Sequence, residues 1–233
     1  SYNWLKIKEL IHFCESYVPY YQILFKNLGI TSDDIKSYED YKKIPILTKD
    51  IFRKNYADFI PVNIDYGNYG ITETSGSTGA STKFHISNVA GERWYAAKLF
   101  GRILHGVKLG DPILWIWGRK QKKISFFRKW LKENIENEYR VSAFDITNKK
   151  AIQLVKIIKN KKIKSIYGYS SAIYEFAKKL NENNISLSLN KIFVTAEGIY
   201  DYQKEFISKV FNCSIVCEYG AAEMGILTFE CNK

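Results

Sequence analysis

The sequence predicts an α/β fold in which parallel-rich sheets are flanked by helices. Short apolar runs bounded by glycine or polar residues alternate with helical patterns through more than half of the chain. Such alternation is typical of parallel strands joined by right-handed helical crossovers. The chain has 233 residues, of which 46% are hydrophobic, so it is long and apolar enough to bury a sizeable core and is not a disordered chain.

The N-terminal part of the chain, residues 1–70, is expected to form a helical region that packs on the α/β core. Apolar side chains recur at helical spacing in residues 3–15, and a second helix is expected to end at Gly29. Thr48 stands where its hydroxyl can cap a later helix. Residues 71–233 are expected to form the core itself.

The core elements follow one another in a regular order. Strands are predicted at 84–88, 112–118, 139–146, 163–169, 191–198 and 213–220, and helices at 89–106, 125–137, 149–160, 171–183 and 201–211. Ligands of such sheets bind in loops beyond the carboxyl ends of the strands. The loops of interest therefore follow residues 70, 117, 167, 194 and 218.

The charge and hydropathy of the chain limit the classes of partner that it can have. The net charge is +11, and lysines cluster at 119–123 and 156–164. The sequence has no nucleic-acid recognition motif, and its aromatic residues lie in apolar runs, so we expect no nucleic-acid partner. The apolar runs are too short to span a bilayer, and the charged first segment is not a signal peptide. A soluble cytoplasmic protein is the expectation.

The four cysteines, Cys14, Cys213, Cys217 and Cys231, are too few for a disulfide framework in a chain of this length. The last three could contribute to a zinc site, but a fourth ligand is missing and all three histidines lie far upstream. We therefore expect these cysteines to be core thiols.

A loop rich in glycine and hydroxyl groups, "TSGSTG", runs from Thr74 to Gly79. Glycines let successive backbone N–H groups turn toward one point, where they can bind phosphate oxygens. Lys83 adds a mobile positive charge, although the spacing is not that of a Walker A motif. The alternative is a flexible polar loop. The side chains and glycines of this candidate phosphate site are Thr74, Ser75, Gly76, Ser77, Thr78 and Gly79.

The segment "GYSSA" imitates the nucleophile elbow of hydrolases, with Ser170 between a predicted strand and a predicted helix. A hydrolase of that fold needs its histidine after the serine. His12, His85 and His105 all precede Ser170, so the chain order disfavours this interpretation.

Two strand ends, "VTAEGIY" and "CEYGAAEMG", run into small and polar residues. Glu197, Glu218 and Glu223 stand where loops should face a ligand, and such carboxylates can bind Mg²⁺. Tyr219 can stack on a purine. The alternative is that these are ordinary acids in the first turn of a helix.

The segments "TSGSTGASTK", "VTAEG" and "EYGAAE", in that order, resemble the adenylate-forming superfamily, which includes acyl-CoA synthetases, adenylation domains and luciferase. They look like its phosphate loop, its adenine border and its Y-G-x-T-E segment. "SYVPYYQILFKNLGI", "YKKIPILTKDIFRKNY" and the final "FECNK" are similar to phenylacetate–CoA ligase-like proteins, including relatives linked to capsule and surface-polysaccharide synthesis. The resemblance covers nearly the whole chain.

The resemblance implies a reaction and its cofactors. A carboxylate attacks the α-phosphate of ATP bound to Mg²⁺, and the acyl-adenylate then passes its acyl group to a thiol, usually CoA. The implied partners are a small carboxylic acid and CoA or another thiol carrier, and a homodimer is one option.

The resemblance also implies a role for individual residues. Lys83 and Glu223 are the implied catalytic residues, with Glu223 holding Mg²⁺. Trp117, Tyr169 and Ser170 are candidates for the acyl pocket, where the alternative is that the aromatic residues belong to the core. The implied nucleotide-binding residues are Thr74, Ser75, Gly76, Ser77, Thr78, Gly79, Ala196, Glu197, Gly198, Glu218, Tyr219 and Gly220.

Two departures from the family pattern change the expectation. Ala222 stands where the family usually has Thr or Ser, so a hydroxyl at the α-phosphate is missing. Family members are longer, and their C-terminal barrel part and mobile lid domain have no counterpart here. We therefore expect the N-terminal portion of a ligase, inactive by itself; the alternative is a non-catalytic nucleotide-binding protein or a degenerate partial copy.

Overall fold

A computed structural model of the chain describes residues 2–65, 69–74, 82–118 and 126–231. The chain divides into two compact units, Ser1–Ala90 and Gly91–Lys233. The candidate phosphate-loop residues from Ser75 to Gly79 and the lysine cluster at 119–123 lie outside the described residues.

The first unit consists of short helices followed by a hairpin. Gly29 adopts a left-handed conformation with φ 63° and ends the second helix, as predicted, and the Thr48 hydroxyl accepts the N–H of Ile51 at the start of the fourth. The α-helices are α1 (Tyr2–Tyr17), α2 (Pro19–Leu28), α3 (Tyr38–Tyr41) and α4 (Lys49–Lys54), with 3-10 turns at Ser32–Asp34 and Tyr56–Phe59.

The hairpin pairs β1 (Tyr69–Thr74) with β2 (Thr82–Ser87) in antiparallel register. Only β2 was predicted as a strand. Phe84 of β2 stacks on Phe52 with ring centroids 5.3 Å apart. The hairpin belongs to the first unit, Ser1–Ala90. The expected division after residue 70 into a helical region and an α/β core stays a prediction.

The second unit is built on a six-stranded sheet with strand order β4-β3-β5-β6-β7-β8. The first five strands in this order are parallel, and β8 pairs antiparallel with β7. The predicted α/β fold is thereby confirmed. The elements are α5 (Asn88–Leu104), β3 (Ile113–Ile116), α6 (Phe126–Asn134), β4 (Glu138–Val141), α7 (Asn148–Asn160), β5 (Ser165–Tyr169), α8 (Ser170–Glu182), β6 (Lys191–Thr195), α9 (Asp201–Phe211), β7 (Ser214–Ala221) and β8 (Gly225–Phe229).

The two faces of this sheet are covered differently. One face packs with side chains of α7, α8 and α9 in the largest apolar cluster, where Ile166, Ile173 and Phe176 are fully buried. The other face packs with α5, since Gly101 of α5 lies so close to the Phe229 ring that an added Cβ would come within 2.1 Å of it. Continuous burial on both faces explains the unbroken apolar runs of the central strands.

Strand β8 was not predicted. Met224 N–H bonds to the carbonyl of Ala221 at 3.2 Å, and Gly225 follows with φ 72°, so the chain turns back on itself immediately after β7. Strand β6 is also shorter than predicted, because Ala196 leaves the strand with φ 65°. Among the described helices, none combines the length and apolar character that crossing a bilayer requires.

Phe176 provides a test of the core. It is 0% exposed on α8, whereas Phe100 on α5 is 62% exposed. We expect Phe176→Ala to lower the free energy of unfolding by about 3–5 kcal/mol, because it leaves a cavity in the main apolar cluster. Urea denaturation followed by circular dichroism measures this. The control Phe100→Ala should change it by less than about 0.5 kcal/mol; equal losses would contradict the assignment of the core.

Candidate functional site

A cavity of about 590 Å³ lies at the carboxyl ends of β6 and β7. These strands are parallel neighbours, with Val194 opposite Cys217, so the segments that follow them emerge side by side. Six residues that sequence analysis assigned to nucleotide binding line this cavity. They form two groups of three that are about twenty positions apart in the chain. They are Ala196, Glu197, Gly198, Glu218, Tyr219 and Gly220.

A larger cavity of about 890 Å³ lies beside α9. Its walls carry charges of both signs, among them Asp201, Lys204 and Glu230, and it contains none of the residues predicted for the site. Lys204 and Glu230 form an ion pair with each other at 2.5 Å, so their charges are already compensated. We take the smaller cavity as the candidate site, because it lies at the strand ends where α/β sheets bind ligands.

The loop after β6 has an unusual backbone and is fixed by hydrogen bonds. Ala196 has φ 65°, a left-handed conformation that is costly for a residue with a Cβ. The Ser170 hydroxyl donates to the carbonyl of Gly198 at 2.8 Å, and the backbone N–H of Ser171 donates to Glu197 Oε2 at 3.1 Å. Glu197 thus bonds to the N-terminus of α8, a helix that precedes it in the chain, and does not itself lie in the first turn of a helix.

Tyr219 has a ring that is free for stacking. It is 67% exposed and lies on the wall of the cavity. The pairing of β7 with β8 shifts register between Tyr219 and Gly220, where a Cβ on Gly220 would come within 2.6 Å of the carbonyl oxygen of Gly225. A bulge of this kind redirects a side chain at a strand end, and only glycine allows the close approach here.

Glu218, the neighbour of Tyr219, is buried and bonded within the protein. Its Oε1 accepts the Tyr167 hydroxyl at 2.5 Å and the Thr195 hydroxyl at 3.0 Å, while Oε2 has no hydrogen-bond partner among the described residues. Burial, together with the charge of Glu218, raises the pKa of Tyr167 well above its usual range, so the phenol keeps its proton and donates it. Glu218 thus stabilises the packing of β5, β6 and β7.

A cluster of cations around Trp115 was missed by sequence reasoning. Lys98 Nζ, Arg102 Cζ and Arg140 Cζ lie 4.7, 4.9 and 4.6 Å from the centre of the indole ring. Glu138 pairs with Arg140 at 3.0 Å and with Arg102 at 3.6 Å. Burial lowers the pKa of Lys98. Paired or ring-stacked charges are the form in which buried cations are tolerated. The spacing of Lys98 and Arg102, one turn apart on α5, was the available signal.

The candidate acyl-pocket residues lie together at the ends of β3 and β5, but they do not line the cavity. The rings of Trp117 and Tyr169 are 4.5 Å apart, and Trp117 also packs on the apolar cluster under α5. Burial and the charge of Glu197 raise the pKa of Tyr169. Ser170 is 2% exposed and donates its proton to a carbonyl, so it is not presented as a nucleophile would be.

Three further predicted residues that the structure describes, Thr74, Lys83 and Glu223, are not among those that line the cavity. Glu223 is exposed in the turn between β7 and β8. Lys83 pairs with Glu73 across the hairpin of the first unit at 3.4 Å, and the Thr74 hydroxyl accepts the N–H of Thr82 at 3.2 Å, which closes that hairpin. The catalytic roles of Lys83 and Glu223 stay predictions.

The cysteines are free thiols. Burial raises the pKa of Cys213 to about 12 and that of Cys217 to about 11. In the ranges that the structure describes, no three His, Cys, Asp or Glu side chains are grouped so that they could hold a metal ion.

Two curated proteins resemble parts of this sequence, while no family model matches it. Protein CapK of Staphylococcus aureus is 26% identical over 229 residues, which is 94% of this chain and 49% of that protein. Indoleacetate–lysine synthetase of Pseudomonas savastanoi is 33% identical over 70 residues, 29% of this chain and 18% of that protein. The chain thus spans half or less of the length of the curated relatives it matches.

Solved structures share the fold over most of the chain. An open conformation of 2-hydroxyisobutyryl-CoA ligase in complex with 2-HIB-AMP and CoA matches with a TM-score of 0.68 and 17% identity, over 94% of this chain and 53% of that one. The same ligase in its thioesterification state matches with a TM-score of 0.66 and 18% identity, over 94% of this chain and 48% of that one. At this identity the likeness establishes the fold.

The bond between Tyr167 and Glu218 can be tested directly. Tyr167→Phe leaves a buried carboxylate with one donor fewer, so we expect the free energy of unfolding to fall by about 1.5–3 kcal/mol. The control Tyr139→Phe removes the hydroxyl of another buried tyrosine, on β4, that takes no part in the Glu218 cluster. Urea denaturation of both variants gives the comparison; a Tyr167→Phe protein as stable as wild type would contradict the structural role of Glu218.

Proposed function

We propose that this chain, which has the fold of the N-terminal portion of the adenylate-forming ligases, is part of an ATP-dependent ligase that activates a carboxylic acid as an acyl-adenylate and transfers it to a thiol. One observation carries the proposal. The segments "AEG" (196–198) and "EYG" (218–220), which sequence analysis assigned to the nucleotide, form walls of one cavity at neighbouring strand ends.

The cavity suits the adenosine part of a nucleotide in size and chemistry. Its volume of about 590 Å³ lies within the range typical of small-molecule sites, roughly 300–1,000 Å³. Tyr219 offers an exposed ring on which an adenine can stack. Ala196, Glu197 and Gly198 supply backbone groups and a carboxylate along the border of the base.

The phosphates and the magnesium ion are assigned by the resemblance. Ser75 to Gly79 would bind the phosphates through backbone N–H groups and hydroxyls, with Lys83 as the accompanying cation. Glu223 offers an exposed carboxylate, the oxygen ligand that Mg²⁺ prefers. Bound Mg²⁺ would neutralise phosphate charge during transfer. This chemistry depends on positioning and charge neutralisation more than on a protein nucleophile.

We propose the kind of acid and the acceptor thiol from the proteins to which this chain is similar. The structural relative is described as a CoA ligase in complex with 2-HIB-AMP and CoA, which supports CoA as the thiol. The sequence resemblance to proteins linked to capsule and surface-polysaccharide synthesis supports such a link for this chain. The rings of Trp117 and Tyr169 support an acid with an apolar or aryl group.

A second candidate is a nucleotide-binding protein without catalysis. Ala222, in the turn between β7 and β8, has no hydroxyl where the family usually has one. This departure weakens contacts to the α-phosphate and leaves the adenine contacts in place. The two candidates therefore differ in pyrophosphate release, and both require binding of an adenine nucleotide.

Tyr219→Ala tests the nucleotide site. Stacking of a base on an aromatic ring contributes about 1–3 kcal/mol, so we expect the affinity for AMP to fall roughly 5- to 150-fold. Isothermal titration calorimetry of the 233-residue chain with AMP measures the change.

Tyr202→Ala is the matched control, since Tyr202 is 59% exposed on α9 and lies outside the cavity. It should bind AMP like the wild type. Equal affinities of wild type and Tyr219→Ala, or no binding of AMP by the wild type, would contradict the proposed site.

A pyrophosphate-release assay with a broad panel of carboxylic acids tests the catalytic part. We expect these 233 residues alone to release little or no pyrophosphate, because the resemblance assigns part of the active site to the C-terminal barrel part and the mobile lid domain, which they do not include. Rapid turnover with any acid would show that these segments are dispensable.

A further inference from the structure

Three hydrogen bonds connect the loop after β6 to the start of α8, and we call them the loop–helix tie. The Ser170 hydroxyl donates to the carbonyl of Gly198 at 2.8 Å and, at the longer distance of 3.4 Å, to Glu197 Oε2. The N–H of Ser171 donates to the same Glu197 Oε2 at 3.1 Å. Both acceptors belong to the wall of the 590 Å³ cavity. Neither serine lines the cavity, so the donors of the tie hold the wall residues without themselves facing the cavity.

The helix needs the tie because its own N-cap residue gives it no acceptor. Tyr169 precedes α8 and makes no side-chain capping bond. The first N–H groups of a helix lack partners within the helix and carry partial positive charge. Glu197 supplies a carboxylate to them from the neighbouring loop, so its side chain has a defined direction although it is exposed.

The loop needs the tie because its backbone is strained. Ala196 holds φ 65°, and a non-glycine residue keeps such a conformation only where its surroundings fix it. The bond from Ser170 fixes the peptide two residues later, at Gly198. Ser170 is 2% exposed, so water does not compete for this bond.

We propose that Ser170 is a positioning residue for the nucleotide: it holds the segment 196–198 in the shape that borders the base. The proposal rests on the proposed function, and it gives the "GYSSA" motif a task other than nucleophilic attack. Without the tie, the segment samples other conformations, and binding must select the competent one. The apparent association constant for the nucleotide is then the intrinsic constant multiplied by the fraction of chains in that conformation.

The test compares two adjacent serines. Ser170→Ala removes the donor to Gly198 and the longer bond to Glu197. Ser171→Ala removes an exposed hydroxyl and keeps the backbone N–H that Glu197 accepts. Calorimetry should show AMP bound about 5- to 10-fold more weakly by Ser170→Ala and within about twofold of wild type by Ser171→Ala. Ser170→Thr keeps the hydroxyl and should restore most of the affinity.

Hydrogen exchange without nucleotide gives a second readout. We expect faster exchange in Ser170→Ala confined to residues 196–199 and the first turn of α8. Glu197→Ala, at an exposed side chain that leaves the core intact, should accelerate exchange in the same two places. If the wild type binds no AMP, the proposed function fails, and exchange still decides whether the tie orders the loop.

Three results would overturn the proposal. The first is unchanged AMP affinity in Ser170→Ala. The second is unchanged exchange of residues 196–199 in both Ser170→Ala and Glu197→Ala. The third is exchange accelerated throughout α8 and the sheet in Ser170→Ala, which would make Ser170 an ordinary core residue.

Discussion

The parallel pairing of β6 with β7 is the constraint on which the candidate site depends. Val194 stands opposite Cys217 in this register, so the chain leaves both strands at the same edge of the sheet. A slip of one residue would turn each side chain to the other face and separate the two walls of the cavity. Burial of Ile192 and Ile215 on one face and of Phe193 and Val216 on the other fixes the register.

The face of the sheet under α5 shows how charge is accommodated inside this unit. Trp115 and Tyr167 provide ring faces for the half-buried Lys98 and the buried Arg102, so both cations pack against aromatic surface. Glu218 is held by hydroxyl donors on the same face. A polar and aromatic layer therefore underlies the edge that carries Tyr219, and it stiffens that edge through directional bonds.

Periodicity predicted most of the second unit, because its signals are local. The helical spacing of apolar residues in 201–211 and the apolar run at 112–118 each indicate which side chains of that segment are buried. Helix α9 and strand β3 lie close to their expected positions. The cap at Thr48 and the stop at Gly29 are local as well. The segments "AEG" (196–198) and "EYG" (218–220) were assigned to one ligand, and the structure places both at one cavity.

The features that escaped prediction are those that depend on distant residues. Strand β8 exists because Gly225 turns the chain back onto β7, and its own sequence has weak alternation. The bond from Ser170 to Gly198 joins residues 28 positions apart, and the cations around Trp115 come from α5 and β4. Such contacts are set by packing across the sheet, which single-sequence patterns do not encode.

The four thiols differ in burial, and this difference makes selective labelling of one cysteine possible. Cys217 lines the candidate cavity, and burial beside Glu230 keeps its pKa near 11, so at neutral pH almost none of it is thiolate. Burial likewise raises the pKa of Cys14 and of Cys213, so these thiols are also protonated at neutral pH. Cys231 is exposed. A maleimide dye at neutral pH should therefore attach at Cys231 first, which would allow a fluorescent reporter to be installed without alkylating the wall of the candidate cavity.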